Sequence, residues 1–167
     1  MKEAKPPRMN ELQDYYAYWL HRLSGAVLQK FERALAQREV THAQWYVLIT
    51  VFRKDANTPQ SIAKFLEIDI GSVSRVIDRL VSKGLLVKAP HEEDRRSVFL
   101  ELTRDGEETI SALASIADVQ DSEWRACLTR DEVRSLTMIL HKLLMAQGLT
   151  PMGRIWSPAI KSKTKEK

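Results

Sequence analysis

The sequence predicts a mainly α fold with a small β-hairpin wing, a winged helix-turn-helix, forming a homodimer through its terminal helices. Three observations carry that expectation. Residues 58–67 and 69–84 read as two short helices joined by a tight turn. Residues 85–103 follow as two arms around a charged tip, the outline of a hairpin. Long amphipathic segments flank this unit on both sides, with apolar faces broader than a small central core can bury.

Asn10 is placed to cap a first helix running to about Arg38. Its apolar positions Leu12, Tyr16, Trp19, Leu23, Val27, Phe31 and Leu35 recur at the spacing of one helix face. Thr41 and Gln44 have capping-box spacing and open a second helix, expected to bury Trp45, Leu48, Ile49 and Phe52. Thr58 caps a third helix whose first position is Pro59, where the missing N–H costs nothing, and which should bury Ile62, Ala63 and Leu66. Asp69 caps a fourth, with Val73, Ile77 and Leu80 inward, Ser72, Arg75 and Arg79 on another face, and Gly84 at its end.

In the second hairpin arm, Val98, Leu100 and Leu102 alternate with Ser97, Phe99 and Glu101, as in a half-buried strand. Thr103 begins a fifth helix carrying Ile110, Leu113 and Ala117. Thr129 and Glu132 repeat the capping box and open a sixth, with Val133, Leu136, Leu140 and Leu143 on one side. The chain thus divides into a flexible arm over 1–9, one domain over 10–150 and a basic tail over 151–167. Within the domain, a lobe over about 41–103 stands between dimerisation helices over about 10–38 and 104–150.

Bulk properties narrow the class. An apolar content of 44% with 29% charged residues is ordinary for a globular protein with a real core. No apolar run approaches the roughly 20 residues that cross a bilayer, and the N-terminus has no apolar core of a secretory signal. The single cysteine, Cys127, cannot make an internal disulfide, so a reducing, cytoplasmic setting without a membrane partner is expected. Net charge is +4, but residues 1–8 carry +2 and residues 154–167 carry +4, leaving 9–153 at −2. Bulk charge therefore says little about nucleic acid; placed arginines must carry that argument.

Those arginines fall in a specific pattern. Ser72-Val73, Arg75, Leu80-Val81, Gly84-Leu85-Leu86, Asp94-Arg95-Arg96, Thr103 and Gly106 together resemble the signature of the MarR family of transcriptional regulators. The resemblance extends outward through Gln44-Trp45 and the flanking helices. It implies a winged-helix homodimer on a pseudo-palindromic DNA operator, with the fourth helix in the major groove and the wing tip in the adjacent minor groove. By position, Ser72, Ser74, Arg75 and Arg79 would lie on the recognition helix. Arg96 would be the wing arginine and Asp94 the acid that buttresses the tip. Thr58 and Gln60 would touch phosphate.

Arg79 reads equally well as a solvated helix charge, and Arg95 as a surface or intersubunit charge. Glu92 and Glu93 make the wing more acidic than is usual. Physical chemistry supports the assignment independently. Arginine bridges guanine O6 and N7 with two hydrogen bonds, and it is drawn into a narrow minor groove by the concentrated negative potential.

The resemblance also implies a small aromatic or phenolic effector, and Tyr15, Trp19, Arg22 and Trp45 are candidates as aromatic walls with a basic anchor. Core and dimer packing is the plainer explanation of the same aromatics. The expected function is a repressor released from double-stranded DNA by such a ligand; the alternative is a constitutive or architectural winged-helix binder. His21, His42, His91 and His141 have no metal-ligand spacing, and His42 and His91 read as surface residues. Cys127 is expected to be a buried structural thiol rather than an oxidant sensor. No phosphate loop, Gly-x-Ser-x-Gly, metal cluster or Cys–His pair close in sequence is present, so neither an enzyme nor a cofactor is expected.

Overall fold

Five of the helices begin at a side chain that satisfies an otherwise orphaned backbone N–H. In a computed structural model describing residues 11–90 and 98–149, Thr41, Thr58, Asp69, Thr103 and Thr129 each accept a hydrogen bond from the residue three positions on. The helices they open are α2 (His42–Phe52), α3 (Pro59–Leu66), α4 (Ile70–Ser82), α5 (Arg104–Arg125) and α6 (Arg130–Ala146). Between α4 and α5 stand β1 (Leu86–Pro90) and β2 (Val98–Leu102), antiparallel and in register from Leu86 opposite Leu102 to Pro90 opposite Val98.

The first helix differs from its expected start. Asn10 lies outside the described residues, and α1 spans Tyr16–Gln37. Ahead of it, Leu12–Asp14 forms a 3-10 turn, closed by Glu11 N donating to Asp14 Oδ2 at 2.9 Å. Tyr15 is extended and separates the two, while the Trp19 indole N–H donates back to Gln13 O at 2.8 Å. Acid capping at Asp14 and the tryptophan tie thus interrupt what periodicity alone joins into one helix.

α2 is the axis of the core. It packs against α1, α3, α4, α5 and β2, and is buried nearly all round at Gln44, Val47, Leu48, Ile49, Thr50 and Val51. A helix packed by several elements has a buried surface wider than one apolar stripe. Phe52, expected to be inside, ends the helix 39% exposed, while Thr50 is buried with its hydroxyl donating to Tyr46 O at 2.7 Å. Ile62, Ala63 and Leu66 of α3, Val73, Ile77 and Leu80 of α4, and Ile110 and Leu113 of α5 close around it as expected.

The foot of the wing is clamped. Gly84, at φ +70°, turns the chain out of α4, a backbone state that glycine adopts without penalty. The Thr103 hydroxyl donates to Gly84 O at 2.6 Å, Thr103 N donates to Leu85 O at 3.2 Å, and Gly106 N donates to Thr103 Oγ1 at 3.0 Å. A Cβ on Gly106 would stand 2.0 Å from Leu85 O, so this close approach requires glycine. Leu100 N also donates to Asn57 O at 2.7 Å, fastening β2 to the loop before α3.

The flanking helices are less covered. α6 has no fully buried residue, and Leu143, assigned to its inner stripe, is half exposed. Tyr16, Trp19, Leu20 and Leu23 of α1 are exposed as well. Cys127 is exposed, not buried, because it lies in the connection between α5 and α6 rather than on a packed helix face, and its Sγ–H donates to Trp124 O. His42 is half-buried between the rings of Phe31 and Tyr46 rather than on the surface. Among the described residues, no helix is long and apolar enough to cross a membrane.

Candidate nucleic-acid interface

The N-terminal half of α4 presents a built cluster. Asp69 Oδ1 accepts from Ser72 N at 2.8 Å, and Arg75 Nη2 donates to Ser72 Oγ at 3.1 Å. The Ser72 hydroxyl bond, then the Ser72 backbone N–H, hold the Asp69 carboxyl below the usual carboxylate range, with the Arg75 charge adding to them. Ser72 therefore joins the two charged groups, its backbone N–H donating to the Asp69 carboxylate and its hydroxyl accepting from the Arg75 guanidinium, which holds Arg75 over the first turn. Arg75 and Arg79 are exposed; Ser72 and Ser74 are half-buried on either flank of the inner stripe. The three-residue spacing Asp69, Ser72, Arg75 was a signal for this relay, since such residues stack along one side of a helix.

Asp78, on the same exposed side, pairs with Lys88 of β1 at 2.7 Å rather than with Arg79. Arg79 thus keeps its place on the outer face without its neighbouring acid. Lys83, at the C-terminal end of α4, donates from Nζ to Glu39 O in the turn after α1. Neither contact had a sequence signal, because each joins elements whose relative placement the fold decides. Asp94, Arg95 and Arg96 lie outside the described residues, as does His91. Of the two strands that flank them, β1 packs against α4.

At the start of α3, Gln60 is exposed. Thr58 is half-buried and engaged: its Oγ1 accepts from Ser61 N at 3.1 Å and donates to Ser61 Oγ at 2.8 Å. Its hydroxyl is a helix cap first, so of the two phosphate candidates Gln60 has the freer side chain.

The effector candidates do not converge within one chain. Trp19 packs edge-on to Tyr18 at 5.2 Å, and the Arg22 guanidinium sits 5.8 Å from the Tyr18 ring. Tyr15 is half-exposed beside them at the head of α1. Trp45 instead stands edge-on to Phe31 at 4.9 Å, against the core. Phe31 is about 18 Å further along α1 than Trp19, at 1.5 Å per residue. A shallow groove of about 440 Å³ lies between the end of α1 and the start of α2, lined by Glu32, Leu35, Glu39, Thr41 and His42 among others. It contains none of the four candidates. Among the described residues, no three His, Cys, Asp or Glu side chains are grouped to hold a metal ion.

Comparison with known proteins agrees with this geometry. The MarR family pattern matches residues 40–98, from Val40 before α2 to the first residue of β2. The multiple antibiotic resistance protein MarR of Escherichia coli is 34% identical over 131 residues, spanning 75% of this chain and 90% of that protein. The S. aureus MepR–DNA complex has a TM-score of 0.71 at 26% identity, over 79% of this chain and 98% of that one. A MarR variant from E. coli complexed with operator DNA has a TM-score of 0.61 at 33% identity, over 81% and 99%.

Proposed function

This chain belongs to the MarR family of transcriptional regulators, and on that premise we propose that it is a sequence-specific repressor acting as a homodimer in the cytoplasm. The observation that carries the proposal is the outer face of α4, where Ser72 joins Asp69 to Arg75 over the first turn of a helix packed against β1 of the wing. Solved relatives of the same fold are complexes with DNA. α4 enters a major groove in each half-site, Ser72, Ser74, Arg75 and Arg79 face the bases or the adjoining phosphates, and Gln60 and Thr58 approach the backbone. The wing residues Asp94, Arg95 and Arg96 reach the neighbouring minor groove. Paired recognition helices spaced about 34 Å apart meet one face of the duplex in successive major grooves.

Footprinting of the full-length protein on the DNA upstream of its own gene tests this reading. The expected result is protection of a pseudo-palindromic segment that resists excess unrelated duplex. Uniform, fully competed binding would overturn it.

The repressor is released by a small aromatic or phenolic ligand bound between the dimerisation helices and the lobe, which favours a dimer of altered half-site spacing. The second reading, a constitutive binder, draws on the separation of Trp45 from Trp19 and Arg22 within the chain. A thermal-shift screen against aromatic acids and phenols separates the two: stabilisation together with loss of operator binding supports the ligand switch, and no shift from any compound supports the constitutive binder.

A further inference from the structure

Two branched aliphatic side chains stand exposed at the leading end of α4. Ile68, in the turn, is 40% exposed, and Ile70, the first helical residue, is 50% exposed. The core does not need them, because Val73, Ile77 and Leu80 already fill the inner stripe of α4. A single exposed aliphatic is ordinary on a protein surface. This pair, however, brackets the N-cap of the helix, ahead of an outer face made of Arg75, Asp78, Arg79 and Ser82.

Cα–Cβ bonds tilt toward the N-terminus of a helix, so the side chain of a first residue projects past the end of the cylinder. Ile70 therefore leads α4 into whatever that end enters. Its neighbours do not compete for the position. Asp69 is committed to capping Ser72 N, Ser72 Oγ accepts from Arg75, and Gly71 has no side chain. A Cβ at Gly71 would come within 3.2 Å of Asp69 Oδ1, so the bare residue also keeps the cap uncrowded. The first group offered to a base edge is thus apolar. In the major groove the matching apolar group is the C5 methyl of thymine.

Resting on the reading of α4 as the helix that enters the major groove, we infer that Ile70 reads a thymine methyl in each half-site. It is a specificity-determining residue alongside Arg75: the guanidinium selects by hydrogen bonds, and the isoleucine selects by excluding water from a methyl group. Cytosine at that position would present an amine donor to the aliphatic side chain, leaving a polar group without a partner.

The test uses the full-length protein and an operator selected from a random duplex pool. Each thymine in one half-site is replaced in turn by deoxyuridine, which lacks only the methyl, and affinity is measured for wild type, Ile70→Ala and Arg75→Ala. At one thymine the wild type should lose about fourfold, the ratio that one buried methyl-sized group is worth. Ile70→Ala should show no loss at that thymine and keep the wild-type response elsewhere, and Ile70→Val should retain most of it. The inference is overturned if Ile70→Ala keeps every wild-type deoxyuridine penalty, or if the wild type shows none. Arg75→Ala separates the two levels: weakened binding with an unaltered deoxyuridine pattern in Ile70→Ala refutes the role of Ile70 alone. Wild-type binding by both variants refutes the placement of α4.

Discussion

Lys88 of β1 and Asp78 of α4 form an ion pair, Nζ to Oδ1 at 2.7 Å, that ties the base of the wing to the helix beside it. Both side chains are largely exposed, so the pair contributes little to stability, about 0–1 kcal/mol. Its greater effect is electrostatic. Asp78 places a negative charge on the face assigned to DNA and occupies a lysine that would otherwise be available to phosphate. Asp78→Asn should leave unfolding nearly unchanged, raise affinity for unrelated duplex several-fold at low salt, and steepen the salt dependence of binding by about one counterion. Titrations at a series of salt concentrations check this; an unchanged slope would place Asp78 and Lys88 away from the DNA.

Gly106 offers a test of the wing clamp. Alanine would ordinarily stabilise a helix by about 1 kcal/mol relative to glycine. Here its Cβ would meet Leu85 O at 2.0 Å, and the obstacle is backbone held by Thr103, so it cannot swing aside. Gly106→Ala should therefore destabilise the chain by about 1–3 kcal/mol, as overpacked sites do. The midpoint of urea unfolding should fall, with little change in slope. A midpoint at or above wild type would show that the Leu85 carbonyl yields.

The contrast between these positions explains what the sequence could reveal. Caps were legible because the capping residue and its target lie three positions apart, so Thr41, Thr58, Asp69, Thr103 and Thr129 announce their helices locally. The inner stripe of α4 was legible because that helix has one buried side. α2 is packed by five other elements, and there periodicity misplaced Phe52 and passed over Val47 and Val51.

At the candidate interface, helix spacing groups Ser72, Arg75 and Arg79 along one side of α4, but the Asp78–Lys88 pair depends on how β1 lies against α4. Gly106 was visible as a signature position, while its reason, the approach of Leu85 O, needed the fold. Trp45 shows the opposite case. An aromatic that suits a ligand wall is placed by Phe31 instead.

Arg75 and Arg96 should differ in how they fail. With α4 in the major groove as proposed, Arg75→Ala should cost about 1–3 kcal/mol of specific binding, with relaxed preference at the affected base pair. Arg96→Ala, at the tip named by the sequence signature, should lower affinity for specific and unrelated duplexes alike and make the salt slope shallower by about one. Competition between operator and unrelated DNA distinguishes the two patterns. Equal loss on both duplexes for Arg75→Ala would remove it from base reading.

Acid should weaken the fold through two capping carboxylates. Asp69 is held below its ordinary value by the Ser72 hydroxyl and backbone N–H, and Glu132 by the backbone N–H of Thr129 and then its hydroxyl. A carboxyl whose folded pKa is depressed contributes stability that is fully present above its unfolded value, about 3.9 for Asp and 4.3 for Glu. That contribution is lost as pH falls through the folded pKa. Asn at position 69 still caps but does not titrate. The stability difference between wild type and Asp69→Asn should thus be constant above about pH 5 and shrink below about pH 4. Urea unfolding from pH 3 to 7 measures it; a difference that grows on acidification would contradict the depressed carboxyl.

The terminal helices supply the last prediction. Tyr16, Trp19, Leu20 and Leu23 of α1 and Met138, Ile139, Leu143 and Met145 of α6 are exposed, and α6 buries none of its residues completely within its own chain. The proposed homodimer would cover this apolar surface with a second copy, and in a two-fold dimer each substitution acts twice. Burying one leucine is worth about 1.5–3 kcal/mol, so Leu143→Glu removes at least about 3 kcal/mol from a symmetric interface and raises its dissociation constant more than a hundredfold. Sedimentation should give a dimer for wild type at micromolar concentration and a monomer for the variant. The buried core of the lobe excludes Leu143, so helical circular dichroism should persist. A wild-type monomer at micromolar concentration, or an undisturbed variant dimer, would show that these faces serve another purpose.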